Sequence, residues 1–428
     1  MNKLFTLLLL FIVTLTSAAQ QPRQEISADK RLSGSNHLAY PGPVQQRLTP
    51  APKGYRPFYI SHYGRHGSRY LIGQDEYDVP VNVLARADSL GKLTPLGADV
   101  LRRARMLRAE ARGRLGELTP LGAEQHRQIA RRMYRRFPEV FKGDVTVDAK
   151  STVVIRCILS MENELQELLR LNPKLIIKHD ASEHDMYYMN LTDPVLNARK
   201  VPRRAQVALD GFSARHVRCM PLMQRLFADA DYIKYEVDTL GLARRLFKLA
   251  SNVQSSPLGD SISLYDIFTD DELYGYWLAD NASWYVGYGA CLLNGATQPY
   301  SQRNLLRTII HEADRCIALE RPGATLRFGH ETMVLPLTCL LDINGYGLST
   351  DNLDELESKG WVNYRIFPMG ANIQLVFYRR NPSDADVLVK VLLNENEATL
   401  PLPSDLAPYY RWSDFKEFYL NRLDAYKE

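Results

Sequence analysis

The stretch YISHYGRHGSRY places one histidine between two glycines and brackets it with two arginines. Arg65 and Arg69 carry planar, permanently charged guanidinium groups, which match phosphate oxygens in bidentate fashion. His66, between them, is a nucleophile when its imidazole is neutral. Gly64 and Gly67 would let a bulky dianion approach the backbone closely. The loop therefore predicts a phosphate site in which His66 accepts a phosphoryl group.

Two later segments supply the remaining groups that phosphoryl transfer needs. Arg156, in VIRCILSM, lies near the start of a predicted helix and would add a third guanidinium to the phosphate clamp. Glu331, in FGHETMVL, is a carboxyl that can protonate the departing alkoxide as general acid and then activate water as general base. His330 precedes it and would be a second histidine of the same pocket.

Apolar runs typical of strands precede all three segments, namely RPFYISHYG, DVTVDAK and ATLRFG, and two more follow in NIQLVFYRR and DVLVKVLLNE. Helical periodicity follows the second and third runs, so strands alternate with helices. This alternation predicts an α/β fold, a layered core with a central sheet flanked by helices. The carboxyl ends of strands form the ligand crevice of such sheets, which would bring the three segments together.

A long stretch between these strands has only helical periodicity, as in LARRLFKLASNV and SQRNLLRTIIHEADRCIAL. It predicts an α-helical cap domain inserted into the core. The predicted division is a signal peptide at 1–19, an extended N-terminal segment at 20–47, the first part of the core at 48–180, the cap at 181–318 and the second part of the core at 319–428.

The words LTPLGA occur twice, each time before a helical pattern, with Thr94 and Thr119 suited to the helix N-cap and proline at the first helical position. The two helices that follow carry eleven arginines between Arg102 and Arg136. These arginines are either a solvated helix face partly paired with nearby glutamates or a basic rim that attracts an anionic ligand.

The N-terminus, MNKLFTLLLLFIVTLTSAAQQ, has one lysine, a short apolar run and small residues up to Ala19. It is typical of a signal peptide cleaved near Ala19, since a membrane span needs about 20 apolar residues. We therefore expect export to the periplasm or secretion, with no membrane anchor. The five cysteines form no CxxC pair, and their pairing and the oligomeric state are left open.

Several other classes of protein are disfavoured by the sequence. The formal net charge of +4 does not by itself imply nucleic acid, and the basic helices lack interleaved aromatic residues. No P-loop, Rossmann glycine fingerprint or G-x-S-x-G is present. The stretch HDASEHDM lacks a recognised ligand spacing and is typical of a polar loop. We expect no metal and no cofactor.

Together the motifs resemble the histidine acid phosphatase branch of the histidine phosphatases, and most of all the multiple inositol polyphosphate phosphatases, which also hydrolyse phytate. The resemblance runs from about Tyr59 to the C-terminus through RHGSRY, LTPLGAEQHRQIARRM, VIRCILSM, FGHETMVLPL and PMGANIQLVFY. It implies an α/β domain with a helical cap and catalysis without metal. The roles it implies are nucleophile for His66, phosphate clamp for Arg65, Arg69 and Arg156, and further phosphate ligand for His330.

The chain departs from this family pattern at the third segment. Multiple inositol polyphosphate phosphatases usually have His-Ala-Glu before the following Thr, whereas here His330 is followed at once by Glu331 and Thr332. Glu331 remains the expected general acid.

From these observations we expect an exported phosphomonoesterase for a small, highly anionic substrate, with inositol hexakisphosphate favoured. The alternatives are a broad-specificity acid or sugar phosphatase and a phosphate-ester binding protein that hardly turns over.

Overall fold

The computed structural model describes residues 21–427, so the predicted signal peptide lies outside the described residues. Eight strands form one mixed sheet with the order β3-β2-β4-β1-β5-β6-β7, and β8 also pairs with β6. Helices flank this sheet, which confirms the predicted α/β class. The strands are β1 Arg56–Arg65, β2 Thr146–Ser151, β3 Ile176–Asp180, β4 Gly323–Gly329, β5 Asn372–Arg379, β6 Leu388–Leu393, β7 Asn396–Glu397 and β8 Tyr409–Arg411.

The described part of the first helix, α1, is residues 21–28. The other helices are α2 Asp75–Ser89, α3 Pro95–Glu110, α4 Pro120–Arg136, α5 Ile155–Leu171, α6 Met186–Met189, α7 Pro194–Ala198, α8 Arg203–His216, α9 Met220–Leu226, α10 Ala230–Glu236, α11 Thr239–Asn252, α12 Asp270–Tyr288, α13 Arg303–Ile317, α14 Glu331–Leu341, α15 Asn363–Ile366 and α16 Trp412–Asp424. Segments of 3-10 helix occur at Lys30–His37, Glu183–Asp185, Val253–Ser255, Tyr265–Ile267, Leu292–Asn294, Gln298–Gln302, Ile343–Gly345 and Leu353–Glu355. None of the helices within 21–427 is both long enough and apolar enough to cross a membrane.

Strand β1 lies in the middle of the sheet, parallel to β4 on one side and antiparallel to β5 on the other. Its residues from Tyr59 onward are buried, as expected of a central strand with helices on both faces. In the register, Arg65 is level with Gly329 of β4, and Ser151 of β2 is level with Phe328. The carboxyl ends of these three parallel strands therefore lie at one edge of the sheet.

The two LTPLGA helices begin as predicted. The side chain of Thr94 accepts a hydrogen bond from the N–H of Gly97, and that of Thr119 accepts one from the N–H of Gly122. A proline occupies the first turn of each helix, where its missing N–H leaves no intrahelical bond unmade.

The N-terminal segment differs from the extended form that its polarity predicts. Residues 21–28 are helical, and Lys30–His37 forms 3-10 helix whose first turn is capped by the side chain of Asp29. Ile26 and Leu38 are buried in a cluster with the helical region. Burial of these two apolar side chains anchors a segment that is otherwise polar.

Two helices of the predicted core pack with helices of the predicted cap. Leu84 of α2 and Leu101 of α3 share one hydrophobic cluster with Leu246 of α11 and Trp277 of α12. A cap inserted at 181–318 remains our prediction for the domain boundaries.

All five cysteines are free thiols. Cys157, Cys291 and Cys339 are buried, and the other two are partly exposed. The three buried ones match the default expectation for unpaired cysteine, which behaves as a small apolar residue.

Candidate active site

The edge of the sheet where β1 and β4 end holds the RHGSR loop. The N–H of Arg65 donates to the carbonyl of Ala371 at 2.7 Å, and the N–H of His66 donates to the carbonyl of Gly329 at 2.9 Å. The next N–H, of Gly67, donates to the hydroxyl of Ser160 on α5 at 3.1 Å. The loop is therefore fixed from three neighbouring elements.

The imidazole of His66 is fully buried, and its tautomer follows from its contacts. Nδ1 lies 2.9 Å from the carbonyl oxygen of Gly67, which can only accept, so Nδ1 carries the proton. Nε2 then has a free lone pair, and it has no hydrogen-bond partner among the described residues. Burial lowers the pKa of His66 well below its usual range, and the charges of Arg65 and Arg156 add to this effect against the opposing Glu331. His66 is thus a neutral imidazole whose Nε2 lone pair is not engaged in a hydrogen bond, the form of a nucleophile.

Glu331 lies against both His66 and Arg65. Its Oε2 is 3.0 Å from Nε of Arg65 and 3.6 Å from Nε2 of His66. Burial alone would raise the pKa of this carboxyl, but the charges of Arg65 and Arg69 outweigh burial and hold the pKa well below its usual range. Without a bound anion, Glu331 is therefore ionised and serves as the counter-charge of the arginines.

Three guanidinium groups have buried nitrogens without a partner among the described residues, namely Nη2 of Arg65, Nε of Arg69 and Nε of Arg156. Arg65 is oriented by the carbonyls of Asn36 and Phe367, which its Nη1 contacts at 2.7 and 2.8 Å. Nη1 of Arg69 donates to the carbonyl of Tyr70 at 2.9 Å. Buried polar groups are nearly always hydrogen-bonded, so these orphaned donors indicate a site for an anion.

His330 completes the group. Its ring centroid lies 5.7 Å from that of His66, and its Nε2 is 3.3 Å from the hydroxyl of Thr152, the residue after β2. Burial lowers the pKa of His330 to about 4, against the effect of Glu331, so the ring is neutral above that pH. All of the predicted site residues therefore meet at the carboxyl ends of β1, β2 and β4.

Helix N-termini reinforce the positive field of the site. α14 begins at Glu331 with His330 as its N-cap, and α5 begins at Ile155 beside Arg156. The free N–H groups of a first turn favour a bound anion. The strand, turn and helix of each segment thus direct the site side chains and the backbone N–H donors toward the same anion site.

Comparison with known proteins identifies the family of this chain. The model of the histidine phosphatase superfamily (branch 2) matches residues 65–394, which contain every site residue predicted from the sequence. The chain belongs to that superfamily branch. Membership confirms the family expected from the motifs and the enzyme class, a histidine acid phosphatase.

Solved structures of low sequence identity share the fold of this phosphatase. The multiple inositol polyphosphate phosphatase of Bifidobacterium longum, in complex with inositol hexasulfate, has 18% identity and a TM-score of 0.76 over 90% of this chain and 97% of that chain. The phytase of D. castellii has 15% identity and a TM-score of 0.66 over 92% of this chain and 85% of that chain. The phytase of Hafnia alvei has 15% identity and a TM-score of 0.53 over 87% and 98%. No curated protein sequence matches the chain.

Packing behind the loop explains why Gly64 and Gly67 are glycines, whereas their position in the sequence suggests access of an anion to the backbone. A Cβ on Gly67 would overlap the carbonyl of Gly122 in the first turn of α4, and a Cβ on Gly64 would lie 2.6 Å from the ring of His62. Both glycines are therefore needed for packing behind the loop. Gly122, the glycine of the second LTPLGA, supplies the backbone that lies in close contact with Gly67.

His37 is a site residue that sequence reasoning missed. It is buried, and burial lowers its pKa well below the usual range, with Arg69, Lys248 and Arg65 adding to the effect. The amide of Asn252 donates to its Nδ1 at 3.5 Å, which leaves the proton on Nε2. No motif surrounds His37, and its segment was predicted to be extended, so no sequence signal indicated that it folds back onto the site.

The arginines between Arg102 and Arg136 are mostly paired, which supports the first of the two interpretations of this sequence. Seven of the eleven arginines lie within ion-pair distance of a carboxylate, namely Arg102, Arg103, Arg108, Arg114, Arg127, Arg131 and Arg132. Glu124 alone is shared by two of them. Their charge is therefore largely compensated within the protein.

One cluster in residues 21–427 has the spacing of a metal site, because ligand atoms of His66, His330 and Glu331 lie within 4.8 Å of one another. The surrounding guanidinium groups would repel a divalent cation there, whereas they would attract phosphate. The stretch HDASEHDM forms no such cluster among the described residues, and its His179 is paired with Glu162 at 2.7 Å.

Proposed function

We propose that this phosphatase hydrolyses inositol polyphosphates, phytate in particular, through a phosphohistidine on His66. The observation that supports this most directly is a neutral imidazole lone pair surrounded by unpaired, buried guanidinium nitrogens. Arg65, Arg69 and Arg156 would bind the oxygens of the scissile phosphate, and the neutral ring of His330 would donate a further hydrogen bond. Positioning and charge stabilisation supply most of the rate in phosphoryl transfer, so this arrangement suits the reaction.

In the first step the lone pair on Nε2 of His66 attacks phosphorus, and the bond between phosphorus and the ester oxygen breaks. The leaving alkoxide takes a proton from Glu331, whose carboxyl is 3.6 Å from Nε2. A phosphate dianion among the arginines cancels the charge that holds the pKa of Glu331 low. Glu331 therefore takes up a proton from the solvent as the substrate binds, and this is the proton that it gives to the alkoxide.

In the second step water attacks phosphorus and the N–P bond breaks. Glu331, now ionised, accepts the proton of the attacking water. Inorganic phosphate leaves, and the lone pair on Nε2 is restored. The proton on Nδ1 stays in place throughout because the carbonyl of Gly67 fixes it.

The substrate class is supported by the shared fold and by the family motifs. One similar structure is a multiple inositol polyphosphate phosphatase bound to inositol hexasulfate, and two others are phytases. The clamp itself binds a single phosphate, so the preference for a polyphosphate has to come from groups around it.

Phosphate release from phytate and from β-glycerophosphate at equal concentration tests the proposal. We expect the wild type to prefer phytate and His66→Ala to release phosphate from neither. Equal rates on both substrates would support a broad-specificity acid or sugar phosphatase. Binding of both substrates without turnover would support the binding protein.

We also propose that the protein is exported after cleavage near Ala19, as its N-terminal sequence suggests. Expression of the full chain followed by N-terminal sequencing of the periplasmic and secreted fractions tests this. A protein that keeps its first residues inside the cell would contradict it.

A further inference from the structure

Lys200 is a partly buried cation without a carboxylate partner. Its Nζ lies 3.3 Å from the ring centre of Tyr288, and no carboxylate oxygen of the described residues is within ion-pair distance. The other lysines of the described chain that are buried or partly buried each have a carboxylate within ion-pair distance. They are Lys30, Lys92, Lys150, Lys248, Lys390 and Lys416. A charge withdrawn from water without a counter-charge is costly, which favours a functional role.

The position of Lys200 is fixed by the protein. The amide of Asn294 donates to the carbonyl of Lys200 at 2.9 Å. Its side chain passes over α12 at Gly287, where a Cβ would lie 3.3 Å from Cε of the lysine. The ammonium group is therefore held over the Tyr288 ring by a fixed backbone and a close helix surface.

A row of aromatic rings connects Lys200 with the phosphate clamp. Tyr288 stacks on Trp284 with a centroid distance of 5.2 Å, and Trp284 contacts Phe367 at 4.9 Å. We call Phe367, Trp284 and Tyr288 the aromatic shelf. The carbonyl of Phe367 is the one that orients Arg65. Burial raises the pKa of Tyr288 to about 12, and the charge of Glu331 adds to this effect. Tyr288, at the Lys200 end of the shelf, therefore lies within the electrostatic range of the site.

We propose that Lys200 binds a second phosphate of the substrate while Arg65, Arg69 and Arg156 hold the phosphate that is cleaved. The inference rests on the proposed function, since it assigns the preference for a polyphosphate to one residue. The two cationic points lie at opposite ends of the shelf, so only a substrate with phosphates at two separate positions can contact both. A substrate with one phosphate occupies the clamp alone.

The ionisation of Lys200 agrees with this role. Burial lowers its pKa to about 8, so the ammonium form is lost as the pH rises through that value in the empty protein. A bound phosphate favours the charged form and raises this pKa. Of the charged groups around it, Glu331 acts on Tyr288 from α14, and no acidic group of residues 21–427 is within ion-pair distance of the ammonium.

Calorimetric titration with inositol hexasulfate and with inorganic phosphate tests the inference without any turnover. In Lys200→Met the apolar stem and its packing are kept and the charge is removed. We expect hexasulfate to bind about ten-fold more weakly than to the wild type, as for loss of one hydrogen bond to a charged group, and phosphate to bind equally well. Lys200→Arg should retain most of the hexasulfate affinity.

Lys174→Met is the matched control, since Lys174 is exposed and follows α5 at the end of that helix remote from the site. It should bind both ligands as the wild type does. Equal hexasulfate affinity in Lys200→Met and the wild type would overturn the inference, as would an equal loss for phosphate.

Steady-state kinetics separates this inference from the proposed function. We expect Lys200→Met to raise KM for phytate about ten-fold while kcat on phytate and all constants on β-glycerophosphate stay unchanged. An unchanged KM for phytate in a wild type that hydrolyses phytate overturns the role of Lys200 only. A wild type that does not hydrolyse phytate contradicts the proposed function, and the hexasulfate titration still decides on Lys200.

Discussion

Two groups of arginines in this protein differ in what surrounds them. Arg65, Arg69 and Arg156 lie at strand ends with buried nitrogens that have no partner among the described residues. On α4, Arg127 and Arg131 lie at the surface, where both contact Glu124. The first group has three arginines, whereas Arg127 and Arg131 belong to the larger set of paired arginines between Arg102 and Arg136.

The difference shows that ligand binding depends on uncompensated charge and not on the number of charges. Carboxylates on α4 and α5 already neutralise the surface arginines, so a ligand would have to compete with them. At the strand ends Glu331 is the one carboxylate that Arg65 contacts within ion-pair distance in the described chain. A phosphate dianion there satisfies donors that the fold leaves open.

Removing the nucleophile should have the largest effect. We expect His66→Ala to lower kcat on phytate by at least about 10⁴-fold, because the proposed phosphohistidine forms on its Nε2. Initial rates of phosphate release measure this. A fall of less than ten-fold would show that phosphorus is attacked by another group.

Removing one arginine from each group tests the difference between them. Arg69→Ala should lower kcat/KM by about 10²–10³-fold, as expected for a donor aimed at transition-state charge. Arg127→Ala should leave kcat/KM within two-fold, on the order of the small free energies of surface ion pairs. Comparable losses in the two variants would show that paired and unpaired arginines contribute equally to kcat/KM.

Changing Glu331 to glutamine tests proton transfer with nearly the same shape. We expect kcat to fall about 10²-fold on β-glycerophosphate, whose alkoxide is a poor leaving group. The fall should be much smaller on p-nitrophenyl phosphate, whose leaving group needs no proton. Full turnover on both substrates would exclude Glu331 as the general acid.

The pH profile reports the charge around His66. Its pKa is lowered by burial and by Arg65 and Arg156, so the ring stays neutral as the pH falls below 6.5, and activity should be lost only when the pH falls through the lowered pKa. In Arg156→Ala one of these charges is absent, which raises the pKa of His66 and moves the acid limb of kcat/KM to higher pH. An acid limb that does not move would place Arg156 outside the field of His66.

Salt should produce the smallest effect. Raising the ionic strength from about 0.01 M to 0.15 M shortens the screening length from about 30 to 8 Å. We expect KM for phytate to rise several-fold and KM for β-glycerophosphate to rise less, because the larger anion also meets the charge of Lys200. Equal salt dependence for both substrates would argue against contacts beyond the clamp.

Much of the fold and of the site could be predicted from the sequence because each element carried a local signal. The strand before His66 is an apolar run ending at a glycine-rich loop, and Thr119-Pro120 marks the start of α4 through its N-cap. The site residues lie directly after strands, so the topology rule for α/β sheets was enough to bring His66, Arg156 and His330 together.

The parts that could not be predicted depend on contacts distant in sequence. His37 belongs to a polar segment, and only packing against Asn252 and the field of Arg69 makes it part of the site. The grouping of α2 and α3 with the cap helices depends on a shared hydrophobic cluster, which periodicity along the chain does not reveal. The pairing of Arg131 with Glu167 across two helices is likewise a tertiary contact.

Rapid acid-free quenching of the enzyme during turnover of ³²P-labelled phytate, followed by peptide mapping, tests the central claim most directly. We predict a phosphate on the peptide that contains His66, stable in base and lost in acid, and absent from His66→Ala. Turnover without any labelled peptide, or a label on a residue other than His66, would contradict the account.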